Sequence, residues 1–194
     1  MTQTDWMKEF QLNTYGNRDL TQFLKMTQGK VYADARGTFR ELYNNNSEIK
    51  EEISGFSQIN VSTSFKGVTR GIHLQNEPNQ QAKLVTCISG IVLDVVVDLR
   101  VNSSYFGEWF GLELKATEAT SLWIPEGFGH AFQALEDNSI VTYGVTKPYC
   151  PDSEVSINPS DETIGIEWPT KPSLVSEKDS LGITLEDCYT LLSR

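Results

Sequence analysis

From Ile91 to Leu99 the chain reads Ile-Val-Leu-Asp-Val-Val-Val-Asp-Leu, a run rich in the β-branched residues that favour an extended backbone. At a period of two, Ile91, Leu93, Val95, Val97 and Leu99 fall on one face, and Val92, Asp94, Val96 and Asp98 on the other. Gly90 separates this run from a second extended segment, Lys83–Ile88. Gly111–Leu114, Thr120–Ile124, Ala131–Leu135 and Ile140–Val145 are further short segments of strand character, each bounded by Gly, Pro, Asn or Asp. Many short strands punctuated by turn residues predict a β-sandwich or barrel. Helical spacing is confined to the ends. Leu20, Phe23 and Leu24 predict a short helix around Arg18–Met26, and Thr184 is placed to cap a helix across Leu185–Leu192. Asn44–Asn46 reads as a short polar turn, and no internal repeat interrupts the pattern.

A length of 194 residues fits a single domain over 1–194, with residues 1–29 as an N-terminal extension and 170–194 as a C-terminal segment packing on the core. With 39% hydrophobic and 10% aromatic residues the composition is that of an ordinary globular protein. The net charge of −10 argues against nucleic-acid binding, which relies on a positive field, yet a few placed Arg and Lys side chains still suffice for one diphosphate. Cys87, Cys150 and Cys188 form no Cys-x-x-Cys pair, so neither a zinc site nor a disulfide framework is indicated. The start, MTQTDWMKEFQ, lacks a basic stretch followed by an apolar run, and no apolar stretch reaches membrane-spanning length. A cytoplasmic soluble protein is expected.

Candidate chemistry begins with the two histidines. His73 sits in Arg70-Gly-Ile-His-Leu-Gln75 and His130 in Ile124-Pro-Glu-Gly-Phe-Gly-His-Ala-Phe132, both beside Gly and polar groups rather than in a plain apolar alternation. These motifs stand in an ordered series: Asp34-Ala-Arg-Gly-Thr-Phe-Arg-Glu41, Arg70–Gln75, Lys83-Leu-Val-Thr-Cys87, Asp94–Arg100, Phe106-Gly-Glu-Trp109, Leu122–Phe132, Tyr143 and Ile164-Gly-Ile-Glu-Trp-Pro169. In that order and spacing the chain resembles the dTDP-4-dehydrorhamnose 3,5-epimerase family over about residues 30–182.

The resemblance implies a mainly β, cupin-type jelly-roll β-sandwich with short helices at its ends, a homodimer with subunit-shared sites, and no metal or organic cofactor. The absence of a His-x-His pair agrees with a metal-free site, since metal-binding cupins cluster histidines with a carboxylate. The implied reaction inverts C3, C5 or both in a nucleotide-linked 4-keto-6-deoxyhexose. Such inversion needs a base, an acid on the opposite face, and positive charge where enolate oxygen develops. Histidine suits the base role when a carboxylate orients it. By the family pattern His73 is the base, Asp179 its partner, Tyr143 the opposed acid, and Lys83 the group at the enolate oxygen. Arg70 and Lys178 add charge for the diphosphate or oxyanion. Arg36, Glu41, Gln58 and Asn60 match nucleotide-binding positions, several reaching across to a neighbouring subunit, while His130 and Glu154 match further ligand contacts. Tyr149 matches the aromatic that stacks on the base. Without the resemblance, Tyr143 and Tyr149 would read as packing residues, Lys83 and Lys178 as solvated, Asp179 as an exposed loop acid or local cap and Arg70 as a member of a surface or structural ion pair.

Four positions depart from the family pattern: Leu74 where an aromatic is usual, Ile59 where an acid is usual, Gly129 where Ala is common, and Tyr105 where a smaller residue is common. None removes a catalytic group, but they leave the substrate and the number of centres inverted open, with a mono-epimerase acting on a dTDP-, CDP- or GDP-sugar as one alternative; a rival of a different class is a non-catalytic sugar-nucleotide-binding cupin.

Overall fold

A computed structural model describes residues 12–44, 49–53 and 55–193; the N-terminal segment 1–11 and Asn45 and Asn46 of the polar run lie outside the described residues. In chain order the strands are β1 Thr14–Gly16, β2 Lys25–Gln28, β3 Val31–Asp34, β4 Gly37–Arg40, β5 Gln58–Ser64, β6 Thr69–Gln75 and β7 Lys83–Ser89. There follow β8 Ile91–Asp98, β9 Trp109–Lys115, β10 Thr120–Ile124, β11 Phe128–Ala134, β12 Ser139–Val145 and β13 Glu154–Ser156, then helices α1 Glu177–Ser180 and α2 Leu185–Leu192. Among the described residues the strands form a six-stranded sheet in the order β1-β9-β8-β11-β6-β13, a five-stranded sheet β2-β10-β7-β12-β5, and a separate β3–β4 hairpin. The two larger sheets are antiparallel and face each other as a jelly-roll sandwich, the mainly β class that the strand pattern predicts.

β8 shows why its run is apolar on both faces. Val92 and Val96 enter the cluster between the sheets, with Val85, Phe110, Leu122, Phe128 and Phe132. Leu93, Val95, Val97 and the following Leu99 face outward into a second cluster, which Ile157, Ile164, Leu185 and Cys188 of the C-terminal segment complete. The six-stranded sheet is thus covered twice. Truncating a side chain as buried as Phe110 to alanine would cost about 3–5 kcal/mol. The two aspartates that interrupt β8 are buried but partnered: Asp98 holds Arg100 at 2.6 and 2.9 Å, and Asp94 holds His130 at 2.7 Å.

The N-terminal helix expected around Arg18–Met26 is corrected by the structure. Arg18–Gln22 is a 3₁₀ turn opened by Asn17, and the chain then extends as β2 along β10. Leu20 and Leu24 are buried as their spacing requires, but pairing with β10 satisfies the backbone of Lys25–Gln28 and overrides the local helical preference. β1 and β2 also give each sheet an edge strand from within residues 1–29. At the other end Thr184 caps α2 by accepting from the Asp187 N–H at 3.1 Å, as its position predicts.

Candidate active site

β6 supplies the centre of the site, and an irregularity in it decides which side chains face inward. Arg70 and His73 are three residues apart, so an uninterrupted strand would point them to opposite faces. Against β11 the register runs His130 to His73 but Phe132 to Arg70, which leaves one extra residue in β6. Gly71 lies in this bulge with φ +103°, and a Cβ there would meet the His130 carbonyl oxygen at 2.4 Å. The bulge turns Arg70 and His73 to the same side. They line a cavity of about 570 Å³, of a size typical for small-ligand sites.

The His73 ring meets Asp179 at 2.6 Å through Nε2, and Nδ1 makes no hydrogen bond to the described residues. Asp179 arrives from α1. Its carboxylate also accepts from the Gly71 N–H and the Ser156 hydroxyl, both at 3.3 Å, and its own N–H donates to Ser176 Oγ at 3.1 Å. Burial pushes the Asp179 pKa up, but the hydrogen bond and charge of His73, with the Gly71 and Ser176 bonds, outweigh it and hold the carboxyl below its ordinary value.

Lys83, at the start of β7, is 6% exposed and donates to the His73 carbonyl oxygen at 3.0 Å. Burial lowers its pKa to about 8, with Asp94 and Glu154 working the other way. Tyr143 comes from β12, in the sheet facing β6. Burial raises its pKa, Arg70 opposes the rise, and Glu154 adds to it. Its ring lies edge-on to His130, with centroids 6.3 Å apart. His130, which lines the same cavity, is held from behind by Asp94 in a buried histidine–carboxylate contact.

At the mouth, Glu154 Oε2 accepts from Tyr149 Oη and from Lys178 Nζ, both at 2.5 Å. Desolvation pushes the Glu154 pKa up, but these two bonds and the nearby charges leave it below its ordinary value. Gln58 donates to Asn60 at 2.7 Å and accepts from the Tyr149 N–H at 2.9 Å, joining the β5 amides to the aromatic ring's loop. Arg70 donates to Ser64 Oγ and the Thr63 carbonyl oxygen at 3.0 and 3.2 Å. Eleven expected residues thus line one cavity: His73, Tyr143, Asp179, Lys83, Gln58, Asn60, Arg70, His130, Tyr149, Glu154 and Lys178.

Arg36 and Glu41 do not. Arg36, at the tip of the β3–β4 hairpin, pairs with Asp34 at 2.6 Å, and Glu41, just past β4, bonds Asn44. Sequence reasoning missed Ser176, Ser156 and Gln75. Ser176 carried a signal: Ser-Glu-Lys-Asp179 has the spacing of a helix cap. Gln75 fixes the Tyr149 loop, donating to the Asn79 carbonyl oxygen and accepting from the Cys150 N–H at 2.6 and 2.7 Å.

The four departures from the family pattern divide. Leu74 lines the cavity and also packs in the outer cluster. Ile59 is 67% exposed on β5, between two inward amides. Tyr105 stacks edge-on against Phe23, away from the cavity lining. Gly129 is a packing adjustment: a Cβ would meet Ile72 and Leu99 at 2.6 and 2.7 Å.

Among the described residues no group of three His, Cys, Asp or Glu side chains is placed to hold a metal ion, and no helix is long and apolar enough to cross a membrane.

Known proteins match this chain in sequence and fold. The chain is 45% identical over 157 residues to a dTDP-4-dehydrorhamnose 3,5-epimerase of Shigella flexneri, covering 79% of this chain and 86% of that protein. It is 42% identical over 167 residues to one of Escherichia coli, covering 84% and 89%. A crystal structure of a Legionella pneumophila 3,5-epimerase in complex with dTDP-4-keto-L-rhamnose superposes with TM-score 0.80 at 36% identity, covering 90% and 93%. A 3′-monoepimerase from Streptomyces bikiniensis in complex with dTDP-quinovose gives 0.80 at 33%, covering 87% of each chain. The dTDP-4-dehydrorhamnose 3,5-epimerase sequence model matches residues 20–187, and with these relatives it establishes that the chain belongs to that family.

Proposed function

We propose that this chain inverts C3, C5 or both of a dTDP-linked 4-keto-6-deoxyhexose, with His73 as base. It is an isomerase of the epimerase class. The observation that carries the residue roles is the part-buried His73–Asp179 contact of 2.6 Å on one wall, faced by Tyr143 from the other sheet, with the Lys83 ammonium beside β6. His73 Nδ1 removes a proton next to the C4 ketone while Asp179 steadies the imidazolium that forms. Lys83 is the positive group for the enolate oxygen, in a setting too dry for water to screen it. Tyr143 returns a proton from the opposite wall, which inverts the carbon.

Arg70 and Lys178 serve the diphosphate, and Gln58, Asn60 and Tyr149 the base end. Arg36 and Glu41 act in the cavity of a second copy. The support is the hairpin itself: β3 and β4 are exposed along nearly their whole length, Tyr32 and Phe39 among them, while β5 is a sheet edge whose Gln58 and Asn60 line the cavity. A homodimer that seats one subunit's hairpin at the other's β5 edge covers that apolar surface and completes both sites.

The two-centre and mono-epimerase readings differ in one measurable quantity. The protein is incubated in deuterated buffer with dTDP-4-keto-6-deoxyglucose and the sugar is followed by NMR. Label at C3 and C5 identifies a two-centre epimerase, and label at one carbon a mono-epimerase. No label at either, with folded protein, would reject the proposal.

A further inference from the structure

Gln133 is a polar side chain with no solvent exposure, placed on β11 three residues beyond His130. It shares the outer face of the sheet with Ala131, whereas His130 and Phe132 line the cavity. Its amide is fully engaged. Nε2 donates to Thr69 Oγ1 at 3.0 Å and to the Thr170 carbonyl oxygen at 2.9 Å, and Oε1 accepts from the Thr170 N–H and hydroxyl, both at 3.1 Å. One side chain therefore joins the first residue of β6 to the root of the C-terminal segment that ends in Asp179.

That segment runs beside the first half of β6. The Thr69 N–H donates to the Leu174 carbonyl oxygen at 3.0 Å, with Val68 and Leu174 forming a parallel bridge. Ser176 then caps α1, and the Gly71 N–H reaches the Asp179 carboxylate. Residues 69, 71 and 73 of β6 each meet the segment, at 174, 179 and 179. Gln133 itself is fully buried, and its amide holds the segment at Thr170, ahead of Leu174 and Asp179 in the chain. Thr170 itself is exposed, so an apolar residue of Gln133's size would free the root of the segment to solvent and leave the buried Thr69 hydroxyl without its donor.

We propose that Gln133 is a positioning residue for the His73–Asp179 pair, fastening the C-terminal segment to β6 so that the carboxylate meets the ring in line. Gln133 touches no reacting atom. This proposal rests on the reading of His73 as base, so its test includes a measurement that needs no turnover. The titratable groups that share the cavity with His73 are Asp179 and Lys178 from α1, Glu154 from β13, Arg70 from β6, His130 from β11, Tyr143 from β12 and Tyr149 from the loop after it, with Lys83 of β7 on its backbone carbonyl.

The test compares wild type, Gln133→Met, Asp179→Asn and the double variant. With two histidines in the sequence, the His73 ring signal can be assigned and titrated by NMR. In Gln133→Met the His73 curve should move toward that of Asp179→Asn. Solvent-deuterium exchange into the sugar should fall about tenfold, within the roughly 10²-fold that an ångström of misplacement can cost. The Kd for dTDP should stay within about twofold, and adding Gln133→Met to Asp179→Asn should cost less than about twofold more, because a positioning residue has nothing left to position. An unchanged His73 curve, or losses that multiply in the double variant, would overturn the proposal. If Gln133→Met does not fold, Thr69→Val removes the amide's partner on β6 and is read the same way. A wild-type protein whose His73 titration responds to Asp179 but which exchanges no proton would reject the epimerase reading and leave the positioning role standing.

Discussion

Replacing Lys83 by methionine should make the protein more stable and nearly inactive. Lys83 is 6% exposed, and its pKa falls from 10.5 to about 8, chiefly through burial. At about 1.36 kcal/mol per pH unit, holding that charge inside costs on the order of 3 kcal/mol at neutral pH. Methionine has similar length and no charge, but it forfeits the bond from Nζ to the His73 carbonyl oxygen, worth about 1 kcal/mol. The net gain is roughly 2 kcal/mol, or about 4–8 °C in Tm for a chain of this length. The sign can be checked through pH. Between pH 8 and 10.5 the unfolded chain holds more protons at this lysine than the folded one, so wild-type stability rises across that window through Lys83. The variant lacks this contribution, so its advantage should be largest at pH 7 and turn into a deficit of up to about 1 kcal/mol, the lost hydrogen bond, by pH 10.5. Urea unfolding of both proteins at matched concentration, at pH 7, 9 and 10.5, measures that difference and cancels the other groups that titrate there. Turnover should drop by roughly 10²–10³, the usual loss when an oxyanion donor is removed. A Lys83→Met protein less stable than wild type at pH 7, or an advantage independent of pH, would refute the reasoning.

His73→Ala should lower turnover by about 10²–10⁴ while leaving the protein folded and dTDP binding close to wild type, as calorimetry and kinetics would show; retention of more than about a hundredth of the rate would reject the base assignment. Tyr143→Phe should still wash substrate protons into deuterated solvent while yielding little inverted product; equal loss of exchange and inversion would place Tyr143 in both steps or in packing alone. Activity should survive exhaustive chelation, because each histidine is committed to one carboxylate and no three-ligand group stands among the described residues; loss to a chelator with rescue by one divalent ion would count against it. Arg36→Ala should weaken dTDP binding in calorimetry without altering the His73 titration, and unchanged affinity would remove the hairpin from the site.

Much of the sandwich was legible because alternation and turn residues act locally. Thr120–Ile124 coincides with β10, and β7, β8, β9, β11 and β12 each overlap a segment marked by its own apolar pattern. β5 escaped that reading because its faces are mixed: Gln58, Asn60 and Ser62 face the cavity while Ile59 and Val61 stand exposed, the reverse of the usual apolar-in pattern. β2 escaped because its strand character exists only against β10.

The site was legible in a different sense. Family motifs named its residues, but their assembly depends on contacts between distant parts of the chain. His73 and Asp179 are 106 residues apart, and no spacing rule joins them. Asp94 announced itself by interrupting an apolar strand, since a carboxylate there demands a buried partner, yet only the fold could say that the partner is His130. The hardest feature to read was the parity of β6. Strict alternation sets Arg70 and His73 back to back and would send one of them away from the substrate. Gly71 carried the signal, because a glycine inside a strand marks a bulge or a close backbone approach, and here it is both. Any side chain at that position would strike the carbonyl of His130 and force the bulge to move. The single glycine is therefore what lets Arg70 and His73 share one wall of the cavity.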